Sequence, residues 1–295
     1  MTSREARVPI DREAAAAAGF WTKKRLGQHL LRDAQVVADT LAALAVQPDE
    51  GILEIGPGLG ALTESLLGVG VPLLAVEVDP SACEALKLRF ADNPNFHLLQ
   101  ADVLKTDLGE EAARVLGRPF HLAANLPYYI TTPVLAQVLE SHLPFRRMVV
   151  LTQWEVALRL AAQPDTHDWS ALSVLAQYYC KVTVLRKVLR GAFTPVPKVD
   201  SGLILFERLS APSVMPRDEA LFFRLVRGGF GKRRKTLRNA ILMAGQGWEA
   251  PALDDALALA GVDGKRRAET LTLVEWAGLA DRLADSLPGT PLSPV

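Results

Sequence analysis

Short apolar runs recur through the first half of the chain, and the segments between them carry residues at helical spacing. The runs are Ile52–Ile55, Leu73–Val76, Phe96–Leu99, His121–Ala124 and Met148–Leu151, separated by about 20 to 25 residues, which is the rhythm of βα repeats. A strand returning parallel to its neighbour needs a long crossover, and a helix is its usual form. The pattern predicts a mostly parallel sheet with helices on both faces. One helix precedes the first strand, over Asp33–Val46, where Val36, Val37, Leu41 and Leu44 form the apolar stripe and Asp33 is the expected cap.

The rhythm changes after a further apolar run, Leu203–Phe206. Beyond it Leu221–Phe230, Thr236–Ala244, Leu253–Ala260 and Leu273–Leu283 are spaced as helices, interrupted by Gly and Pro. The expected organisation is a leader over 1–20, an α/β domain over 21–209, a small all-α domain over 210–287 and a disordered tail over 288–295. With 295 residues, 49% of them hydrophobic, the chain can bury cores for both domains. Its apolar runs all fall short of the roughly 18 residues of a membrane span. The first 25 residues mix Arg, Glu, Asp and Lys rather than forming a signal peptide, so a cytoplasmic protein is expected. Cys83 and Cys180, far apart in sequence, are expected to be buried thiols of a reducing compartment.

Parallel sheets bind ligands at the carboxyl ends of their strands. Gly56-Pro57-Gly58-Leu59-Gly60 follows the first strand and opens a helix, allowing a tight turn that a ligand can approach closely. Its spacing is G-x-G-x-G, not the dinucleotide G-x-G-x-x-G. Glu77 ends the second strand, where a carboxylate can accept both hydroxyls of a ribose. Asp102 ends the third and can accept from an adenine amine. The fourth ends in Asn125-Leu126-Pro127-Tyr128, in which the Asn125 amide oxygen and the Leu126 carbonyl can hold both hydrogens of a planar amine while Tyr128 stacks on its ring. Three successive strand ends thus suit a nucleoside, and the fourth suits a base.

These motifs closely resemble those of the ribosomal RNA adenine dimethyltransferases, which use S-adenosylmethionine, and particularly their small-subunit branch. The likeness extends to Lys24-Arg25-Leu26-Gly27-Gln28, to Phe193-Thr194-Pro195-Val196-Pro197-Lys198-Val199-Asp200-Ser201 and to Phe230-Gly231-Lys232-Arg233-Arg234-Lys235-Thr236-Leu237-Arg238-Asn239. It implies a Rossmann-like class I methyltransferase fold with a seven-stranded sheet. It also implies donor contacts from His29, Leu31, Gly56, Gly58, Glu77, Asp102 and Asn125, and a target adenine sandwiched between Tyr128 and Phe193 beside Leu126 and Pro127. This chain departs from the pattern at His29-Leu30, where the family usually has Asn-Phe, and at Trp154, where a lysine is common.

The implied substrate is 16S rRNA within an immature small subunit, modified to N6,N6-dimethyladenosine on two adjacent adenines; separately from the resemblance, a monomer is the default expectation. The large-subunit (23S) branch that confers antibiotic resistance is the alternative within this chemistry, and an RNA-binding assembly factor the alternative outside it. Lys and Arg together number 33, as do Asp and Glu, so only the distribution of charge can indicate a polyanionic partner. Ala220–Trp248 holds Arg224, Arg227, Lys232, Arg233, Arg234, Lys235 and Arg238 without one acid. Trp169–Val199 holds five more cations and no acid, and Trp21–Arg32 adds four. Such stretches predict a phosphate-binding surface. The five histidines show no ligand spacing, so no metal is expected, and no G-x-S-x-G elbow marks a hydrolase.

Overall fold

The computed structural model describes residues 29–286. The expected leader, the Lys24–Gln28 motif, most of the first basic stretch and the expected tail lie outside them. The chain divides into two compact units, one holding residues up to Leu158 with Lys181–Arg208 and the other Arg159–Cys180 with the chain from Leu209 onward.

A seven-stranded sheet forms the first unit. Its strands β2 (Gly51–Ile55), β3 (Leu73–Glu77), β4 (Phe96–Gln100), β5 (Phe120–Asn125), β6 (Phe145–Gln153), β7 (Cys180–Val188) and β9 (Ser201–Arg208) lie in the order 4-3-2-5-6-9-7. Neighbours from β4 through β6 are parallel, and β9 runs antiparallel to β6. Every residue of β2 and β3 is buried, as strands covered on both faces must be. Helix α1 (Ala34–Leu44) precedes β2, and the crossovers carry α2 (Thr63–Leu67), α3 (Pro80–Phe90), α4 (Leu108–Val115) and α5 (Thr131–Glu140). Asp33 caps α1 through a 2.9 Å bond from the Gln35 amide, as expected. The turn from β3 into α3 has Asp79 as cap and Pro80 in the first turn, where the missing N–H is harmless.

Two strand features, three strands in all, were not anticipated from local pattern. β7 alternates between exposed and partly buried residues, with Lys181, Thr183 and Lys187 outward; at a sheet edge these lysines discourage pairing with another chain. The other is a two-residue ladder, β1 (Leu30–Leu31) against β8 (Phe193–Thr194), pairing Leu31 with Phe193.

The second unit comprises α7 (Ala171–Tyr179), α8 (Glu219–Phe230), α9 (Leu237–Met243), α10 (Ala250–Leu259) and α11 (Leu273–Ser286), with α6 (Trp154–Leu160) ending in it. The single boundary expected at 209/210 therefore needs correction, since Arg159–Cys180 lies inside the expected α/β domain yet packs with the helices. Its aromatic residues explain this. Tyr178 and Tyr179 meet Phe223 at ring-centroid distances of 4.9 and 5.8 Å, both hydroxyls donate to the Glu219 carboxylate, and the Trp169 indole N–H donates to the Leu271 carbonyl at 2.9 Å. Both cysteines are buried free thiols, and burial pushes the Cys83 pKa up to about 12. Among the described residues no helix is long and apolar enough to cross a membrane.

Candidate active site

The carboxyl ends of β2, β3 and β5 open into a cavity of 350 Å³ in the first unit, within the size range of small-molecule sites. Every residue expected to hold the donor or the target base lines it: His29, Leu31, Gly56, Gly58, Glu77, Asp102, Asn125, Leu126, Pro127, Tyr128 and Phe193.

The glycine turn is fixed by backbone geometry and by contact. Gly58 has φ +57°, a conformation costly for side-chain-bearing residues, and its N–H donates to Glu77 Oε2 at 3.0 Å. A Cβ on Gly60, at φ +80°, would stand 2.7 Å from the Phe90 ring. Glu77 is held on its other oxygen by the N–H groups of Val78 and Asp79, both at 2.9 Å. Burial outweighs these three donors, and with the nearby Asp79 charge it raises the Glu77 pKa. The carboxylate is thereby aimed, with acceptor capacity remaining for a ribose. Asp102 caps the 3-10 turn Val103–Lys105 through Oδ1; its other oxygen is 3.8 Å from Lys105 Nζ.

At the β5 end the loop continues the ladder, with the Leu126 N–H donating to the Leu151 carbonyl at 3.3 Å. Asn125 Nδ2 donates to the His29 carbonyl at 3.3 Å, which fixes the amide and leaves Oδ1 as a pure acceptor. No donor among the described residues reaches the Leu126 carbonyl. The Tyr128 hydroxyl bonds Ser201 Oγ at 2.8 Å, and burial raises the phenol pKa.

The His29 Nδ1 lies 2.8 Å from the Pro195 carbonyl, which can only accept, so Nδ1 carries a proton in that bond. The ring also stacks on Tyr128 with centroids 5.7 Å apart. Phe193 lines the cavity while remaining buried, in one apolar cluster with Leu31. The β1–β8 ladder brings these distant segments together.

Two lining residues escaped the sequence reading. Glu54 is buried in β2 with the Thr63 hydroxyl, at 2.7 Å, as its one hydrogen-bond partner among the described residues, and burial pushes its pKa up to about 8. A carboxylate inside an otherwise apolar strand was the available signal, since full burial of Glu is rare. Tyr129 is 59% exposed at the same cavity.

The expected RNA-contacting residues belong to the second unit. Lys232, Arg233, Arg234 and Lys235 are exposed. Arg238 is instead engaged by Asp254, at 2.5 and 2.8 Å, and the Arg224 guanidinium lies 5.3 Å from the Trp248 ring centre. In the other basic stretch Lys181 pairs with Glu207, Arg186 with Asp39 and Lys187 with Asp200. Acids absent from those stretches in sequence are thus supplied in space. Among the described residues no three His, Cys, Asp or Glu are grouped to hold a metal.

A seven-stranded sheet in this order, with a glycine turn facing an acidic strand end, is the class I methyltransferase fold. The family model for ribosomal RNA adenine dimethylase matches residues 19–281. Proteins named ribosomal RNA small subunit methyltransferase A are similar, that of Geobacter metallireducens being 44% identical over 89% of this chain and 95% of its own, and that of Clostridium acetobutylicum 41% identical over 90% and 94%. Among solved structures, the 23S rRNA methyltransferase ErmE superposes with a TM-score of 0.63 at 26% identity, covering 86% of this chain and 99% of its own. A dimethyladenosine transferase from Plasmodium falciparum gives 0.70 at 24%, covering 85% and 96%. The chain therefore belongs to the ribosomal RNA adenine dimethylase family, a family of S-adenosylmethionine-dependent methyltransferases, as its motifs led us to expect.

Proposed function

We propose that this protein transfers methyl groups from S-adenosylmethionine to N6 of two adjacent adenines of 16S rRNA in an immature small ribosomal subunit, acting as a cytoplasmic monomer without a metal. The observation that carries this reading is a pair of acceptors that no donor among the described residues engages, Asn125 Oδ1 and the Leu126 carbonyl, beside the Tyr128 ring in the cavity that also holds Glu77 and Asp102. The names of the relatives that match over nine-tenths of the chain support the small-subunit substrate.

When bound, S-adenosylmethionine supplies a methyl group already activated by its sulfonium charge. Its fit is chemical. Glu77, and Asp102 through its second oxygen, offer acceptors for ribose hydroxyls and an adenine amine, and the turn at Gly58 presents bare backbone. The residues of the β5 loop act on the nucleophile. An adenine N6 lone pair is delocalised into its ring; Asn125 and Leu126, by accepting both N6 hydrogens, turn the amine so that its lone pair faces the donor, a contribution of positioning and fixed dipoles. Tyr128, braced by His29 and Ser201, supplies an aromatic face in place of the stacking lost when a base leaves its helix. Alkylation makes the N6 proton acidic enough for water to remove, and the monomethylated amine keeps one hydrogen for these acceptors, which permits a second transfer.

The test is to incubate the full-length protein with labelled donor and either immature small subunits or large-subunit RNA, then digest the RNA for dimethyladenosine. Label confined to small-subunit RNA is expected. Label confined to large-subunit RNA would overturn the substrate assignment.

A further inference from the structure

A second cavity, of 530 Å³, is lined by Gln153, Trp154, Glu155, Arg190, Lys198 and Asp200, with Val199, all in the first unit. Backbone ties its lining to residues that brace the first cavity. Ser201, whose hydroxyl holds Tyr128, follows Asp200, whose carbonyl accepts from the Trp154 N–H at 3.0 Å, and Ser201 pairs with Gln153 across β6 and β9. The segment from Phe193 to Asp200 thus has one end in each cavity.

Its lining suits one kind of ligand. Trp154 is set against Gly202, where a Cβ would stand 3.2 Å from the indole Cε3 and 2.4 Å from the Ala157 Cβ, so a larger residue there would crowd this turn of α6. Asp200 is engaged by Lys187 Nζ at 3.1 Å and by the Arg190 N–H at 3.0 Å. Lys187, which engages Asp200, also sets its Nζ 5.5 Å from the Trp154 ring centre, so one indole face already meets a cation and a base would stack on the other. The exposed side chains of Arg190 and Lys198 stand beside this partly exposed indole, the combination of aromatic plane and cations that receives single-stranded nucleic acid.

We propose that this cavity is a second nucleotide subsite, in which Trp154 stacks on the base next to the target adenine while Arg190 and Lys198 contact the adjoining phosphates. The proposal rests on the reading of the first cavity as the site of an RNA adenine. An adenine drawn into that cavity unstacks from its neighbour, and Trp154 replaces what the neighbour loses.

The test uses the full-length protein, an RNA that the wild type methylates, and the same RNA with an abasic site on either side of the target. Trp154→Ala is expected to weaken RNA binding roughly five- to hundredfold with donor affinity unchanged, and Trp154→Phe to retain most of it. One abasic RNA should cost the wild type a similar factor and cost Trp154→Ala little more. Independent, multiplying losses, or wild-type RNA affinity in Trp154→Ala, would overturn the subsite. Because Trp154→Ala can disturb packing against Gly202, photocrosslinking of wild-type protein to RNA carrying 5-iodouridine at each neighbouring position gives a separate readout. A crosslink on the peptide containing Trp154 is expected, and crosslinks only elsewhere would overturn the proposal. Wild-type protein that methylates no adenine in any RNA would sink the first-cavity reading and this one together, whereas methylation without coupling sinks the subsite alone.

Discussion

Replacing Glu54 with Gln should change the pH dependence of stability by an amount the structure sets. The carboxyl is buried with one hydroxyl partner, and burial, with the Glu77 charge adding to it, moves its pKa from 4.5 to about 8. Below pH 4.5 it is neutral folded and unfolded, and it contributes no pH dependence. As pH rises from there the unfolded chain releases a proton that the folded chain keeps, so stability falls by about 1.4 kcal/mol per pH unit. The decline ends near the folded pKa, with a ceiling of about 5 kcal/mol, and stands at about 3 kcal/mol at pH 7. The substituted side chain would keep an oxygen for Thr63 but add an amide N–H with no assured partner, a cost of about 1 kcal/mol. Glu54→Gln is therefore expected to be more stable than wild type by about 2 kcal/mol at pH 7 without donor, and the advantage should widen by about 4 kcal/mol between pH 5 and 8. Urea unfolding of both proteins, followed by circular dichroism across that range, measures the difference and cancels every other titrating group. Parallel curves would mean that Glu54 is charged in the folded protein, and the reasoning from its burial would fail.

Asn125→Ala removes the fixed acceptor, and methyl transfer should fall at least about 100-fold while donor affinity, measured by calorimetry, changes only a few-fold; near-normal turnover would take Asn125 out of the mechanism. Arg233→Glu with Arg234→Glu, both at exposed positions, should weaken RNA binding and lower the slope of log affinity against log salt by about 2; an unaltered slope would show that these arginines face away from phosphate. Gly229→Ala would set a Cβ 2.4 Å from Trp276 Cη2 in a fully buried ring and is expected to cost about 1 to 3 kcal/mol, read as a lower urea midpoint, with a wild-type midpoint showing that the tryptophan can move aside.

Strands that are buried on both faces announce themselves, and β2, β3 and β5 could be read within one or two residues because a continuous apolar run leaves no other role. β7 could not, since an edge strand open to solvent alternates Lys181, Val182, Thr183 and Val184, a weaker signal beside longer runs. The ladder of Leu30–Leu31 with Phe193–Thr194 has two residues on each side, too few for any period. Yet it carries His29 to Tyr128 and Phe193 to the cavity wall. Membership of Arg159–Cys180 in the helical unit was equally hidden, because it depends on Tyr178 and Tyr179 meeting Glu219 and Phe223, which are remote in sequence.

Charge shows where reading along the chain goes wrong most instructively. A stretch without acids is basic only if no acid folds against it, and here Asp39, Asp200, Glu207 and Asp254 each meet a cation of an acid-free stretch. Exposed pairs of this kind add little stability, but each offsets one positive charge that phosphate would otherwise meet. Lys232, Arg234 and Lys235 have no such partner among the described residues, and Arg233 gives only a 3.3 Å bond to the His167 carbonyl. The predicted footprint over Ala220–Trp248 therefore contracts by Arg238, whose charge Asp254 offsets. That contraction separates the variants: Arg238→Ala, which releases Asp254, should alter the salt dependence of RNA binding less than Arg234→Ala does, although sequence position alone would rank them equal.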